Sequence, residues 1–218
     1  MTRIIAGRAK GRRLVVPARG TRPTSDRVRE ALFASIEATL LAQGRSWNEV
    51  SVCDAWSGSG AIALEAWSRG AQRVLAIDSS RAAVGTIEGN IANLDASGVR
   101  VQRTTMSRAV AAPPSGGAFD VLIGDPPYDD TDPSVRAILD DALENGWLVP
   151  GALVVIERRS QRGPSAGSNG GRSPFPEGIE TEAERSYGDT VLWYGRATND
   201  RGDAMDPGGP GDREEQPL

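Results

Sequence analysis

Histidine is absent from all 218 residues, and cysteine occurs once. The first absence excludes a Ser-His-Asp triad, a Cys-His pair and every imidazole metal ligand. A single cysteine excludes an internal disulfide and, with no histidine, the donor set of a structural zinc site. Chemistry here must run on carboxylates, hydroxyls, backbone groups and a bound cofactor. Cys53 sits in the apolar stretch VSVCDAW, which reads as a small buried filler. No run of about 18 apolar residues exists, so no segment is expected to span a bilayer. The basic start MTRIIAGRAK lacks the apolar stretch of a secretory signal, and the cytoplasm is the expected location.

Acidic residues are scarce at one end. Residues 1–30 hold Arg3, Arg8, Lys10, Arg12, Arg13, Arg19, Arg22, Arg27 and Arg29 against Asp26 and Glu30 alone, so +7 sits there and -11 on the other 188 residues. A polyanion would engage the N-terminal end; the bland alternative is a solvated charged face. Within it, residues 2–16 read as two β-branched runs around a Gly-containing turn, a hairpin pattern. Thr24, Ser25 and Asp26 offer N-caps to a helix whose Val28, Leu32, Ile36 and Leu40 share one face, and Gly44 ends it.

From residue 50 the pattern alternates. Strands are expected at 50–55, 72–78, 99–103, 119–125 and 152–158. A Gly loop opening a helix lies at 57–70, and further helices are expected at 80–94 and near 133–146. Continuous apolar strands separated by helices predict an α/β fold with a parallel sheet covered on both faces. Residues 161–178, rich in Gly, Pro and Ser, read as a mobile loop, and IETEAERSY with TVLWYGR as a hairpin turning at Gly188-Asp189. The predicted organisation is a basic extension over 1–20, one domain over 21–196 and a disordered acidic tail over 197–218.

Two places carry chemistry. In DAWSGSG, Gly58 and Gly60 lie at the first strand-to-helix turn, where a ligand can approach the backbone at a positive helix end. Asp78 ends the next strand and can accept from both hydroxyls of a ribose. Gly58-x-Gly60-x-x-Ala63 also fits a dinucleotide fingerprint, and a plain tight turn explains the glycines too. Asp54, four residues before Gly58, favours a ligand without phosphate and with positive charge; S-adenosylmethionine is such a ligand. The second place is FDVLIGDPPYDD. A strand ending in a turn is the simple account of its prolines. The functional one is an acceptor pair, Asp125 and the Pro126 carbonyl, that draws an exocyclic amine of a nucleobase toward tetrahedral geometry. The prolines would preorganise it and Tyr128 would stack on a flipped base.

RIIAGRAKGRRL, RPTSDRVREALF, DAWSGSGAIALEAWSRGA and DPPY, in that order, resemble the RsmD family of small-subunit ribosomal RNA guanine-N2 methyltransferases, over roughly residues 3–196. The Tyr187-Gly188 region is also similar. The resemblance implies a class I S-adenosylmethionine-dependent methyltransferase with a seven-stranded, Rossmann-like, mostly parallel sheet. It implies Asp125, Pro126, Pro127 and Tyr128 as the catalytic motif. The implied cofactor site is Asp54, Ser57, Gly58, Gly60, Asp78 and Ser79, with Thr24 and Arg27 close to the cofactor or the target base. Arg8, Lys10, Arg12, Arg13 and Arg22 would bind RNA. The implied partner is small-subunit rRNA, free or in an assembling particle, engaged by a metal-free, monomeric, non-membrane enzyme. Trp56 and Ser57 depart from the family's usual Phe and Ala, Asp78 from its Glu, and RTTMSRAV lacks its Asp near the adenine. The rival readings are a DNA adenine-N6 methyltransferase, a nicotinamide-dependent oxidoreductase and a non-catalytic RNA-binding protein on the same fold.

Overall fold

Residues 2–17, 25–127, 132–160 and 173–198 are described by the computed structural model. Thr24, Arg22, Tyr128, residues 161–172 of the expected loop and residues 199–218 of the expected tail lie outside them. The strands are β1 (Thr2–Arg3), β2 (Arg13–Leu14), β3 (Ser51–Ala55), β4 (Arg73–Asp78), β5 (Val99–Arg103), β6 (Phe119–Gly124), β7 (Leu148–Arg159), β8 (Ile179–Tyr187) and β9 (Thr190–Ala197). The helices are α1 (Asp26–Ala42), α2 (Ala61–Arg69), α3 (Arg81–Leu94), α4 (Met106–Val110) and α5 (Asp132–Glu144). None of these is long and apolar enough to cross a membrane.

The main sheet has seven strands in the order β5-β4-β3-β6-β7-β9-β8. β3 to β7 pair in parallel, and β9 runs antiparallel to both β7 and β8. The chain moves outward from β3 through β4 to β5, then returns to lay β6 on the other side of β3. That reversal opens a crevice at the carboxyl ends of β3 and β6, where open α/β sheets take ligands. Strand residues alternate between two cores. Val52, Val121, Ile123, Leu153 and Val155 meet α1, α2 and α3 on one face. Cys53, Leu122, Val154 and Ile156 meet α4 and α5 on the other. Each fully buried Val, Leu or Ile stabilises by about 1.5–3 kcal/mol.

α1 starts where its caps put it. The Ser25 hydroxyl accepts from Val28 N at 3.3 Å, and Val28, Leu32, Phe33, Ile36 and Leu40 are buried. Its stop is a left-handed Gly44 (φ +67°), which lets Arg45 N donate back to Leu40 O at 2.8 Å.

Three expectations change. β7 begins at Leu148, not 152, because Pro150 and Gly151 are carried inside a strand that pairs irregularly with β6 between Phe119 and Val121. The end of the expected mobile loop is docked: Arg136 donates to Ser173 O at 2.6 Å and Phe175 O at 3.1 Å, and Phe175 is buried. Third, the N-terminal hairpin shrinks to two residues per strand, paired Thr2 with Leu14 and Arg3 with Arg13.

What replaces the ladder is a set of bonds to α2. Ile5 N and Ala6 N donate to the two oxygens of Glu65 at 2.7 and 2.9 Å, and Ala9 N donates to Ser68 Oγ at 2.9 Å. Arg69 Nε completes the buried Glu65 carboxylate at 3.0 Å. The fully buried Arg29 of α1 adds a bond to Arg3 O at 2.8 Å. Backbone and helix touch so closely at Gly7 that a Cβ there would sit 1.9 Å from Ser68 O. The extension is thus built onto the domain. Glu65→Ala strands two N–H donors, each costing about 1–3 kcal/mol when unsatisfied. Urea unfolding should show a loss of about 3 kcal/mol in the variant.

Candidate active site

The crevice is lined first by the turn after β3. Asp54 is 2% exposed, and its Oδ2 accepts from Ala63 N, in the first turn of α2, at 3.0 Å. The chain then bends sharply: Trp56, Gly58 and Gly60 have φ of 56°, 55° and 74°. A positive φ at a tryptophan is strained, and such strain gathers at ligand sites. The Ser57 hydroxyl donates to Asp54 O at 2.6 Å and accepts from Ile77 N at 3.1 Å. It therefore ties β3 to β4 within the protein.

Asp78, at the end of β4, accepts Gly58 N at 2.8 Å on one oxygen and Ser80 N at 2.8 Å on the other. Each oxygen keeps a lone pair for a ribose hydroxyl, so the residue both braces the loop and can hold a ligand. Ser79 beside it is exposed. Ile87 of α3 closes the loop from below, where a Cβ on Gly60 would come within 3.0 Å of it. Thr105 is committed to capping α4, accepting from Arg108 N at 3.3 Å.

DPP follows on the neighbouring strand, Ala55 of β3 lying level with Gly124 of β6. Asp125 is half-buried, Pro126 buried and Pro127 exposed. Gly124 matters by what it lacks, since a Cβ there would meet the Trp56 ring at 2.9 Å. The bare backbone lets the indole bridge the two turns. The contact between Gly124 and Trp56 does not stand out in the sequence, because it joins residues 68 apart in the chain.

The electrostatics are acidic. Burial pushes the Asp54 carboxyl up to about 7, against the Ala63 and Ser57 hydrogen bonds, with the Asp78 charge adding to the rise. Asp125 is likewise pushed up to about 7, by burial first, then by the charges of Glu157 and Asp54, with Arg158 opposing. Glu157 is a site residue that the strand pattern gave no reason to single out.

The extension's charges face outward. Arg8, Lys10, Arg12 and Arg13 are exposed; Arg8 also stacks on Trp67 at 4.9 Å, and Arg12 donates to Asn93 O at 2.6 Å. Asn90 of α3 links this segment to the loop: its Nδ2 donates to Val15 O at 2.9 Å and to Ser59 O at 3.2 Å, while Oδ1 accepts from Val15 N at 2.9 Å. Arg27 lies in the first turn of α1 and is exposed.

Asp54 gives the unliganded protein a pH signature. Its folded carboxyl binds a proton more tightly than the unfolded one, so the folded state holds the extra proton between about pH 4 and about pH 7. Stability from this residue is full below that window and is lost as pH rises through it. At about 1.4 kcal/mol per tenfold change in proton affinity, the ceiling is about 4 kcal/mol. Denaturation across pH, wild type beside Asp54→Asn, should show the two curves diverging upward through the window, with the variant the more stable above it.

Residues 2–195 match the family described as Conserved hypothetical protein 95. Among curated proteins, the chain is 33% identical over 166 residues to ribosomal RNA small subunit methyltransferase D of Escherichia coli (strain K12), covering 74% of this chain and 76% of that protein. It is 29% identical over 163 residues to the same-named protein of Haemophilus influenzae, covering 73% and 80%. Among solved structures, the Escherichia coli yhhF protein superposes with a TM-score of 0.72 at 27% identity, over 90% of this chain and 98% of that one. An RNA methyltransferase from Salinibacter ruber, solved with S-adenosyl-L-homocysteine, shares the fold at 15% identity and a TM-score of 0.59, over 85% and 99%. The architecture is that of the class I methyltransferases. With nearly all of its described length matched, the chain belongs to the Conserved hypothetical protein 95 (RsmD) family, to which it is tied by relatives named ribosomal RNA small subunit methyltransferase D.

Proposed function

We propose that this protein transfers a methyl group from S-adenosylmethionine to the exocyclic N2 amine of a guanine in small-subunit rRNA. One observation carries the reading: Asp125 and its two prolines follow β6 in register with the turn that follows β3, at the point where the sheet order reverses. The residues fit the cofactor. Asp54 is a buried carboxylate in need of a positive charge, as its raised proton affinity records, and a cationic amino group or sulfonium would meet that need. Gly58 and Gly60 keep side chains out of the turn, and Asp78 offers acceptors for the ribose. S-adenosylmethionine supplies an electrophilic methyl group on a sulfonium.

The protein's own residues do the rest. A guanine N2 lone pair is delocalised into the ring, so the amine is a poor nucleophile. Asp125 and the Pro126 carbonyl accept its two N–H bonds and turn the lone pair out of the base plane. The fixed φ of proline holds both acceptors in place before the base arrives. When N2 gains its methyl group it must shed a proton, and the Asp125 carboxylate, with its raised affinity, is placed to take it. The exposed arginines and Lys10 of the extension hold the phosphate backbone.

The test is mass mapping of modified nucleosides in rRNA from cells with and without the protein. Loss of one N2-methylguanine from small-subunit rRNA is expected; an unchanged pattern overturns the reading. Single-turnover rates should rise with pH until Asp125 is ionised, near its raised value of about 7 in the free enzyme and lower with a cationic cofactor bound. Asp125→Asn should cost about a hundredfold and flatten that limb.

A second measurement addresses the extension. Replacing Arg8, Lys10, Arg12 and Arg13 by Ala should weaken RNA binding and reduce its salt dependence, each lost phosphate contact removing about 0.7 from the log–log slope. Affinity for S-adenosylhomocysteine, measured by calorimetry, should not change. Coincident salt slopes would show that these charges are only a solvated face.

A further inference from the structure

The Asp-Pro-Pro turn explains how an amine is held but not which base carries it. An exocyclic amine on adenine presents the same two N–H bonds as one on guanine. The two bases differ next door: guanine has a donor, N1–H, beside N2, whereas adenine has a bare N1 lone pair beside N6. A site that takes guanine therefore needs a second acceptor next to the first.

β7 supplies one. Gly124 of β6 lies level with Ile156 of β7, so Asp125 and Glu157 are the next residues along two neighbouring strands. Adjacent strands lie about 4.8 Å apart. Alternation puts Glu157 on the same face as Val155, and Asp125 on the same face as Ile123; both belong to the core that α1 and α2 cover. The two carboxylates thus stand side by side on one face at the crevice. Glu157 is also oriented from the far side, where the Thr190 hydroxyl of β9 donates to its Oε1 at 3.3 Å. The Glu157 charge is one of the causes that lift the Asp125 carboxyl. Placing two carboxylates so close costs stability, and a ligand edge made only of donors offsets that cost.

We propose that Glu157 is the base-reading residue of this site: it accepts N1–H of the target guanine while Asp125 accepts from N2. This rests on the methyl-transfer reading above and deepens it. Adenine is refused because its N1 lone pair would face the Glu157 carboxylate. The discriminating group thus lies on the strand next to the one that carries the Asp-Pro-Pro turn.

The test uses the small-subunit rRNA guanine located by nucleoside mapping, and the same RNA with that base replaced by 2-aminopurine through splinted ligation. 2-Aminopurine keeps the N2 amine but presents a lone pair at N1. Single-turnover methylation is measured on both RNAs with the wild type and with Glu157→Gln, whose amide can donate to that lone pair and keeps an oxygen for Thr190. The wild type should favour guanine by at least about tenfold, the loss expected for one charge-assisted hydrogen bond. Glu157→Gln should narrow the ratio by a similar factor, and taking the ratio cancels the bases' differing intrinsic reactivity. Thr190→Val, a milder change, should narrow it in part.

A ratio that Glu157→Gln shifts further toward guanine overturns the inference. So does a ratio that is the same in wild type and Glu157→Gln. A protein that methylates no guanine at all overturns the functional reading and this inference with it, whereas an unchanged ratio on a methylated guanine overturns only the inference.

Discussion

The site depends on one adjacency, β3 against β6, with Ala55 level with Gly124. Strands from two different βα units meet there, and each ends in a turn that carries part of the proposed chemistry. The pairing is parallel and fully buried, so its register is strongly specified: a shift of one residue would put Asp54 and Asp125 on opposite faces of the sheet. The small side chains at the rung are as necessary as the hydrogen bonds. Trp56 must cross the end of β6, and only a glycine at 124 leaves room. Chemistry and packing are therefore settled at a single rung of the ladder.

Electrostatics follow from the same place. Parallel strands deliver their last residues to one edge, and here four of them deliver carboxylates: Asp54, Asp78, Asp125 and, beside it, Glu157. In an apolar core such a group would be ruinous. At a crevice it is a standing demand for positive charge and for hydrogen-bond donors. With no histidine in the chain, Asp54 and Asp125, both pushed up to about 7, bring ionisation near neutrality to this edge.

Much of this was legible in the residues. The alternation of apolar runs and helices gave the layers, and Ser25 and Gly44 gave the limits of α1, because caps are local chemistry. The glycines after Asp54 and the prolines after Asp125 marked the two turns for the same reason. What was hidden is what distant segments do to each other. Asp78 reads as a ligand acceptor, yet it also holds Gly58 from 20 residues away. The strand expected from 152 begins at Leu148, because its start can absorb Pro150 and Gly151 where its partner pairs irregularly. Phe175 sits in a stretch whose Gly, Pro and Ser content hides one apolar anchor. Glu157 reads as the polar end of a strand until the register puts it beside Asp125.

The closeness of Gly7 to Ser68 has a consequence for how the chain is made. Synthesis delivers the N-terminus first, yet every group that receives the extension comes later. Glu65 and Ser68 lie about 60 residues downstream and Asn90 75 residues beyond Val15. Until α2 has emerged and folded, Ile4 and Leu14 have no core to enter, and the basic segment trails as an open chain beside the ribosome that is making it. The extension is thus translated before the segments that hold it and is among the last to find its place, so the completed basic surface certifies that the domain behind it has already folded.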